Sequence, residues 1–172
     1  MSEIGYKDVY KALNKAKVKY VVAGGVAVVA HGFTRNTFDL DLIVWLEGNN
    51  LEKMFDALYK IGYRPKVPVT KDQLKDKKQR EKWRKEKNMI VFSFFHLRDP
   101  LKLIDMFITE PFPFAQISKK AIKATVQGIT IPIISLEHLK ILKQRAGRQK
   151  DLLDLVNLQE IERIKKHESK TS

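Results

Sequence analysis

The 172-residue sequence contains no cysteine. It therefore has neither a disulfide framework nor a thiolate metal site, a composition that suits the cytoplasm without requiring it. Neither GxxxxGK[ST] nor GxGxxG occurs, which argues against a P-loop or dinucleotide-binding protein. The longest apolar stretch, residues 21–30, is interrupted by two glycines and is too short to span a membrane. The first ten residues, MSEIGYKDVY, lack the plan of a signal peptide. We therefore expect a cytoplasmic protein with no membrane partner.

What the sequence does have is a surplus of positive charge. Its 33 lysines and arginines exceed its 20 acidic residues by 13. Such a charge favours polyanionic partners, nucleic acid or nucleotides, without identifying them. The length and a hydrophobic fraction of 44% predict a single folded domain. The four histidines have no spacing typical of a metal site or a hydrolase.

The most informative stretch is KYVVAGGVAVVAHGFTRNTFDLDLIV, residues 19–44. It predicts a buried strand at 20–23, a Gly24-Gly25 turn, a short helix and a second strand at 38–44. Side chains alternate along a strand, so Asp39 and Asp41 share one face. Neither carboxylate can be buried unpaired at low cost, and hard oxygen ligands suit Mg²⁺ or Mn²⁺. Asp-x-Asp alone more often marks a solvated strand, and Gly-Gly alone a tight turn; their ordered combination favours a metal site.

Two later regions also carry chemistry. Asp105 lies in an apolar strand pattern at 101–108, where a lone aspartate is more often a structural hydrogen-bond acceptor. The sequence KQRAGRQKDLLD, residues 143–154, joins a helix at 136–146 to a final helix at 148–165. Basic residues are ordinary near a helix C-terminus, so this junction has a purely structural interpretation as well.

Residues 64–88 form a strongly basic run in which Thr70 is a candidate helix cap. One interpretation is a solvated helix with intrahelical ion pairs. The other is an RNA-facing helix beside the active site. Trp83 could stack on a base, but packing in the core is the commoner role for a single tryptophan.

Ala23-Gly24-Gly25 followed by Asp39-Leu40-Asp41-Leu42 resembles the signature of the DNA polymerase β-like nucleotidyltransferase superfamily. Together with His31-Gly32, Arg35 and Thr37, it is most similar to the AbiEii-like nucleotidyltransferases, several of which are toxins of toxin–antitoxin systems. The resemblance implies an α/β (α+β) nucleotidyltransferase fold, a small mixed sheet flanked by helices. It divides the chain into a core at 1–134 with a basic helical insertion at about 66–88, C-terminal helices at 135–166 packing on the core, and a flexible tail at 167–172.

The resemblance also implies a reaction: transfer of a nucleoside monophosphate from an NTP to a hydroxyl acceptor. The implied acceptor is RNA such as tRNA, with a toxin role and an antitoxin partner as a further implication. The implied catalytic and metal-binding residues, for Mg²⁺ or Mn²⁺, are Asp39, Asp41 and Asp105. The implied nucleotide-binding residues are Gly24, Gly25, Arg35, Thr37, Lys143, Arg148 and Asp151.

Lys143 is expected to line the cleft, reach the triphosphate and contribute little to stability. The alternative to an enzyme is a catalytically silent nucleotide- or RNA-binding module of the same fold. Such a module would not need to keep Asp39, Asp41 and Asp105 together, so the complete set favours the enzyme.

Overall fold

A computed structural model of the chain describes residues 5–171, which form a seven-stranded mixed sheet and eight helices. The strands are β1 (Tyr20–Ala23), β2 (Asp39–Val44), β3 (Tyr63–Pro65), β4 (Val91–His96), β5 (Leu103–Phe107), β6 (Ile122–Val126) and β7 (Ile129–Ile133). The helices are α1 (Lys7–Lys15), α2 (Gly24–Ala30), α3 (Gly48–Lys60), α4 (Lys71–Lys75), α5 (Lys77–Glu86), α6 (Phe114–Lys120), α7 (Leu136–Ala146) and α8 (Gln149–Thr171). The expected α/β architecture is confirmed.

The strand order is β3-β4-β5-β2-β1-β7-β6. The pairs β2–β5 and β1–β7 are parallel, and the other neighbours are antiparallel. β2 and β5 are far apart in the sequence but adjacent in the sheet. This pairing brings the Asp-x-Asp strand next to the strand that carries Asp105.

The two faces of the central strands differ in burial. Buried and half-buried residues alternate along β4 and β5 and at the start of β2, as expected for strands with one covered face. The covered back face meets α3 through an edge contact of Phe55 with Phe94, and α5 through Trp83 stacked on Phe92. The half-exposed front face carries Asp39, Asp41, Ser93, Phe95, Leu103 and Asp105.

The basic run forms two short helices instead of one. Thr70 caps α4 in a capping box with Gln73, as its sequence position predicts. The chain then breaks at Asp76, whose carboxylate accepts a hydrogen bond from the Lys78 amide and caps α5. Asp76 offers the backbone an alternative to a continuous helix, and that local cap explains the break.

Of the two interpretations of this basic run, the RNA-facing helix beside the active site is not the one that the structure supports. Trp83 is 5% exposed and packs on Phe92, so α5 lies behind the sheet, on the face opposite Asp105. Arg80 is also buried, and its guanidinium donates hydrogen bonds to the carbonyls of Leu74 and Lys75. Arg80 therefore ties α5 to α4, and Trp83 anchors α5 to the back of the sheet.

The C-terminal helix extends beyond the expected end at residue 165 and reaches Thr171. Most of the expected flexible tail is therefore helical, and Thr171 Oγ1 donates a 2.9 Å hydrogen bond to the His167 carbonyl one turn earlier. Ser172, like residues 1–4, lies outside the described residues. No helix within residues 5–171 combines the length and apolar character needed to span a bilayer.

Candidate active site

Three carboxylates converge on the front face. The parallel register of β2 and β5 places Asp41 directly opposite Asp105, and Asp39 precedes Asp41 by two residues on the same face. We call Asp39, Asp41 and Asp105 the acidic triad. It borders a pocket of about 200 Å³. All the site residues expected from the sequence resemblance line this pocket, including those from α2, α7 and α8.

The two glycines create space for the side chains around them. Gly24 has φ of +62°, and a Cβ atom there would lie 1.8 Å from Oδ2 of Asp41. A Cβ atom on Gly25 would lie 2.4 Å from Oγ1 of Thr37. The sequence resemblance implies that both glycines bind the nucleotide. The contacts in the structure show a different need, which is room for Asp41 and Thr37.

Burial and mutual repulsion shape the acidic triad. Burial, reinforced by the charges of Asp105 and Asp39, raises the pKa of Asp41 to about 6, against opposition from Lys143 and Arg148. Burial also raises the pKa of Asp105, although Ser93 Oγ donates a 2.5 Å hydrogen bond to its Oδ1. The site without a cation therefore holds protons more tightly than ordinary carboxylates do.

The donor set fits a hard divalent cation. Among the described residues, no side chain forms an ion pair or hydrogen bond with the carboxylates of Asp39 or Asp41. Oxygen-only donors on one face suit Mg²⁺ or Mn²⁺. Within residues 5–171, no three His, Cys, Asp or Glu side chains are already arranged as an ion site. Like charges without a cation repel one another, so we expect the triad to close further when an ion binds.

A second group of charges lies beneath α8, and we call Arg35, Lys143, Arg148, Asp151 and Asp154 the charge cluster. Lys143 Nζ lies 3.2 Å from Asp151 Oδ1 and 2.9 Å from Asp154 Oδ2. Arg148 Nε lies 2.6 Å from Asp151 Oδ2, and Arg35 pairs with Asp154. The cluster links α7, the segment before β2 and α8.

The charge cluster changes the expectation for Lys143. Its side chain lines the pocket but is only 7% exposed, and its ammonium group already has two partners. Burial opposes ionisation of Asp151, but hydrogen bonds from Arg148 and Lys143 outweigh it and lower the pKa of this carboxyl. Removing a lysine that lies between two buried aspartates leaves them with fewer partners, so we now predict that Lys143 stabilises the fold, contrary to the sequence-based expectation.

Ser93 and Lys150 also belong to the site, and the sequence analysis missed both. Ser93 lies opposite Asp105 in the β4–β5 pair, between the buried residues Phe92 and Phe94. A serine flanked by phenylalanines in a mainly apolar strand was the available signal. Lys150 is exposed and lines the pocket at the start of α8. Its neighbours are all polar or basic, so no sequence pattern distinguishes it.

Residues 6–158 match the family model described as aminoglycoside-2''-adenylyltransferase, and the chain belongs to this family. The chain is therefore a nucleotidyltransferase that uses an NTP. No curated protein sequence gives a significant match to it.

Solved structures show the same fold. The lincosamide antibiotic adenylyltransferase LnuA, bound to lincomycin, is 16% identical with a TM-score of 0.60, and the match covers 93% of this chain and 99% of LnuA. ANT(2")-Ia in complex with adenylyl-2"-tobramycin is 14% identical with a TM-score of 0.56, over 96% of this chain and 95% of that chain. A candidate nucleotidyltransferase from Thermotoga maritima is 14% identical with a TM-score of 0.55, over 88% of each chain. The family match, together with this shared fold, supports the nucleotidyltransferase superfamily, whereas the AbiEii-like resemblance is not shown.

Proposed function

We propose that the protein transfers a nucleoside monophosphate from an NTP to a hydroxyl group of a small molecule in a reaction that requires Mg²⁺ or Mn²⁺. The observation that carries this proposal is the β2–β5 register, which sets Asp41 beside Asp105 with Asp39 on the same face. The family match supports it, as do fold relatives bound to lincomycin and to an adenylylated tobramycin. A small-molecule acceptor replaces the RNA acceptor implied by the sequence resemblance.

The acidic triad would hold the metal. Bound divalent ions would polarise the α-phosphate, stabilise the leaving pyrophosphate and lower the pKa of the acceptor hydroxyl. Ser93 holds Oδ1 of Asp105 with a hydrogen bond, which leaves Oδ2 available to accept a proton or to bind a ligand. Gly24 provides the room that Oδ2 of Asp41 occupies.

The charge cluster would shape the triphosphate side of the pocket. Its three cations, Arg35, Lys143 and Arg148, exceed its two aspartates by one charge, so its field favours an anion. Lys150 adds a positive charge that forms no ion pair with any described residue. We therefore assign Lys150 to direct contact with the phosphates and Lys143 to keeping α8 in place.

RNA is the second candidate acceptor, because the chain carries a net charge of +13. The position of α5 behind the sheet weakens the argument that its basic residues guide RNA to the acidic triad. A toxin role and an antitoxin partner depended on the AbiEii-like resemblance, which the family match does not support, so they stay outside the proposal. The silent binding module remains the alternative that a labelling experiment decides.

The experiment incubates the protein with each α-³²P-labelled NTP and Mg²⁺ or Mn²⁺. The acceptors are hydroxylated small molecules (tobramycin, lincomycin, neutral sugars and sugar phosphates) and total RNA. We expect metal-dependent label on a small molecule, which Asp39→Asn abolishes and which Asp72→Asn, at an exposed acid on α4, retains. Label on RNA alone would overturn the small-molecule acceptor. No label with either metal would leave the binding module.

A further inference from the structure

A row of side chains crosses the front face from the acidic triad to the edge of the sheet. Asp41 is opposite Asp105, and Asp105 is opposite Ser93. The Lys66 amide donates a 2.9 Å hydrogen bond to the Ser93 carbonyl, which continues the β3–β4 register and places Lys66 opposite Ser93. Neighbouring strands are about 4.8 Å apart, so the Cα atoms of Lys66 and Asp105 are separated by about 10 Å, a distance that a lysine side chain can bridge towards a bound molecule.

The two ends of this row differ in the side chains and charges that surround them. At the Gly24 end, Lys143 and Arg148 act electrostatically on Asp41, and the charge cluster favours the triphosphate. At the other end, beyond Asp105, the front face offers Ser93, Phe95, Leu103 and Lys66, which we call the acceptor face. With the nucleotide at the Gly24 end, the attacking hydroxyl has to approach from the acceptor face, because in-line transfer places attacking and leaving oxygens on opposite sides of the phosphorus.

The charge of the acceptor face is positive. The charges of Lys66 and Lys150 both act on Asp105, and neither lysine forms an ion pair with any described residue. None of the four residues of the acceptor face carries a carboxylate. Within residues 5–171, the one further acid that lines the pocket is Asp151, which is fully buried and paired.

An aminoglycoside is a polycation, and binding a polycation requires carboxylates that are not already paired. The acceptor face offers a lysine and apolar side chains instead. We propose that the acceptor of this protein is a hydroxyl compound that carries an anionic group, a phosphate or a carboxylate, and that Lys66 binds this group while Phe95 and Leu103 contact its apolar part. This inference depends on the proposed transfer reaction.

The test measures binding to protein preloaded with α,β-methylene ATP and Mg²⁺, so that the triphosphate side is occupied. The probes are glucose 6-phosphate, glucose and tobramycin. One charge at about 6 Å in a half-exposed site changes affinity by about tenfold. We expect glucose 6-phosphate to bind about tenfold more tightly than glucose, and tobramycin to bind most weakly. Lys66→Ala should remove most of that preference, and Lys66→Glu should reverse it in favour of tobramycin.

Lys82→Ala is the matched control, because Lys82 is exposed on α5 behind the sheet. Tobramycin binding as tightly as glucose 6-phosphate, or an unchanged preference in Lys66→Ala, would overturn the inference. Because binding needs no turnover, the proposed reaction can fail separately: no labelled acceptor with the charge preference intact refutes only the transfer. An RNA oligonucleotide with a free 3′-hydroxyl, added as a competitor, distinguishes a polymer phosphate from a small-molecule phosphate.

Discussion

Asp41 and Asp151 line the same pocket, but their carboxylates have opposite surroundings. Asp41 lies beside Asp105, and no cationic side chain among the described residues forms an ion pair with it. Its pKa is raised to about 6. Asp151 is fully buried between Lys143 and Arg148, and its pKa is lowered. One carboxylate is held at a cost in stability, and the other is held by attraction.

This difference separates residues that serve a ligand from residues that serve the fold. Repelling carboxylates on a rigid sheet are favourable only when a cation joins them. A fully paired cluster already satisfies its members and gains little from a ligand. The acidic triad should therefore affect activity more than stability, and the charge cluster should affect stability first.

The largest effect should come from Asp39→Asn. The amide keeps the shape of the side chain but removes a charged ligand, so transfer should fall by at least about 10³-fold. Stability of the metal-free protein should not fall, because one repelling charge is lost. Initial rates with saturating metal and a urea unfolding curve measure the two effects. Activity within tenfold of the wild type would place the site elsewhere.

Lys143→Ala should give the largest loss of stability. It leaves Asp151 and Asp154 buried with fewer partners, and losing one member of a buried ion pair costs about 3 kcal/mol, a loss that Arg148 and Arg35 limit. The free energy of unfolding should fall accordingly. The control Lys82→Ala, on the exposed face of α5, should change the free energy of unfolding by close to zero. Equal unfolding curves for the two variants would show that the charge cluster contributes no stability.

The sequence predicted the acidic triad for a simple physical reason. Asp39 and Asp41 share a face by the period of a strand, and Asp105 is the one acid in an apolar strand. Their meeting depends on β2 pairing with β5, which only the family resemblance supplied. Local patterns determine which face a residue occupies, whereas strand order results from packing across the whole chain.

The sequence shows the charged residues of the charge cluster, but it does not show which of them pair with one another. Lys143, Arg148 and Asp151 were expected to meet the nucleotide, and the sequence contains no information on the angle at which α8 returns. That angle is determined at Gly147, which ends α7 with φ of +63°. The position of α5 stayed open between two interpretations for the same reason, because a basic helix has the same sequence pattern on either side of a sheet.

The two left-handed glycines allow a sharper comparison. Gly24 and Gly147 have nearly equal φ values, +62° and +63°, so alanine should cost each about 1–2 kcal/mol in backbone strain. At Gly147 the new Cβ meets only Gln144 O at 3.7 Å, whereas at Gly24 it would overlap Asp41 Oδ2. Gly24→Ala should therefore destabilise the protein more than Gly147→Ala does, and it should abolish transfer. Gly147→Ala should stay active. Equal activity in the two variants would contradict a close fit between Gly24 and the triad.

The smallest expected effect is the change of stability with pH that the Asp41 carboxyl causes in the metal-free protein. Its pKa is 3.8 in an ordinary setting and about 6 in the fold, so the folded state binds more protons between those values. Stability from this group is therefore fully present below about pH 4 and is lost as pH rises through 6. The full shift corresponds to about 3 kcal/mol, which partial exposure reduces to about 1–2 kcal/mol.

Urea unfolding in EDTA from pH 4.5 to 7 measures this loss as the difference between the wild type and Asp41→Asn, which has no charge to develop at that position. The difference should grow with pH and then level off above about pH 6.5. Added Mg²⁺ should reverse the trend in the wild type alone, because a cation stabilises the charged carboxylates and its affinity increases as they lose protons. Parallel curves for the two proteins would mean that Asp41 ionises as an ordinary aspartate, which would remove the electrostatic contrast with Asp151.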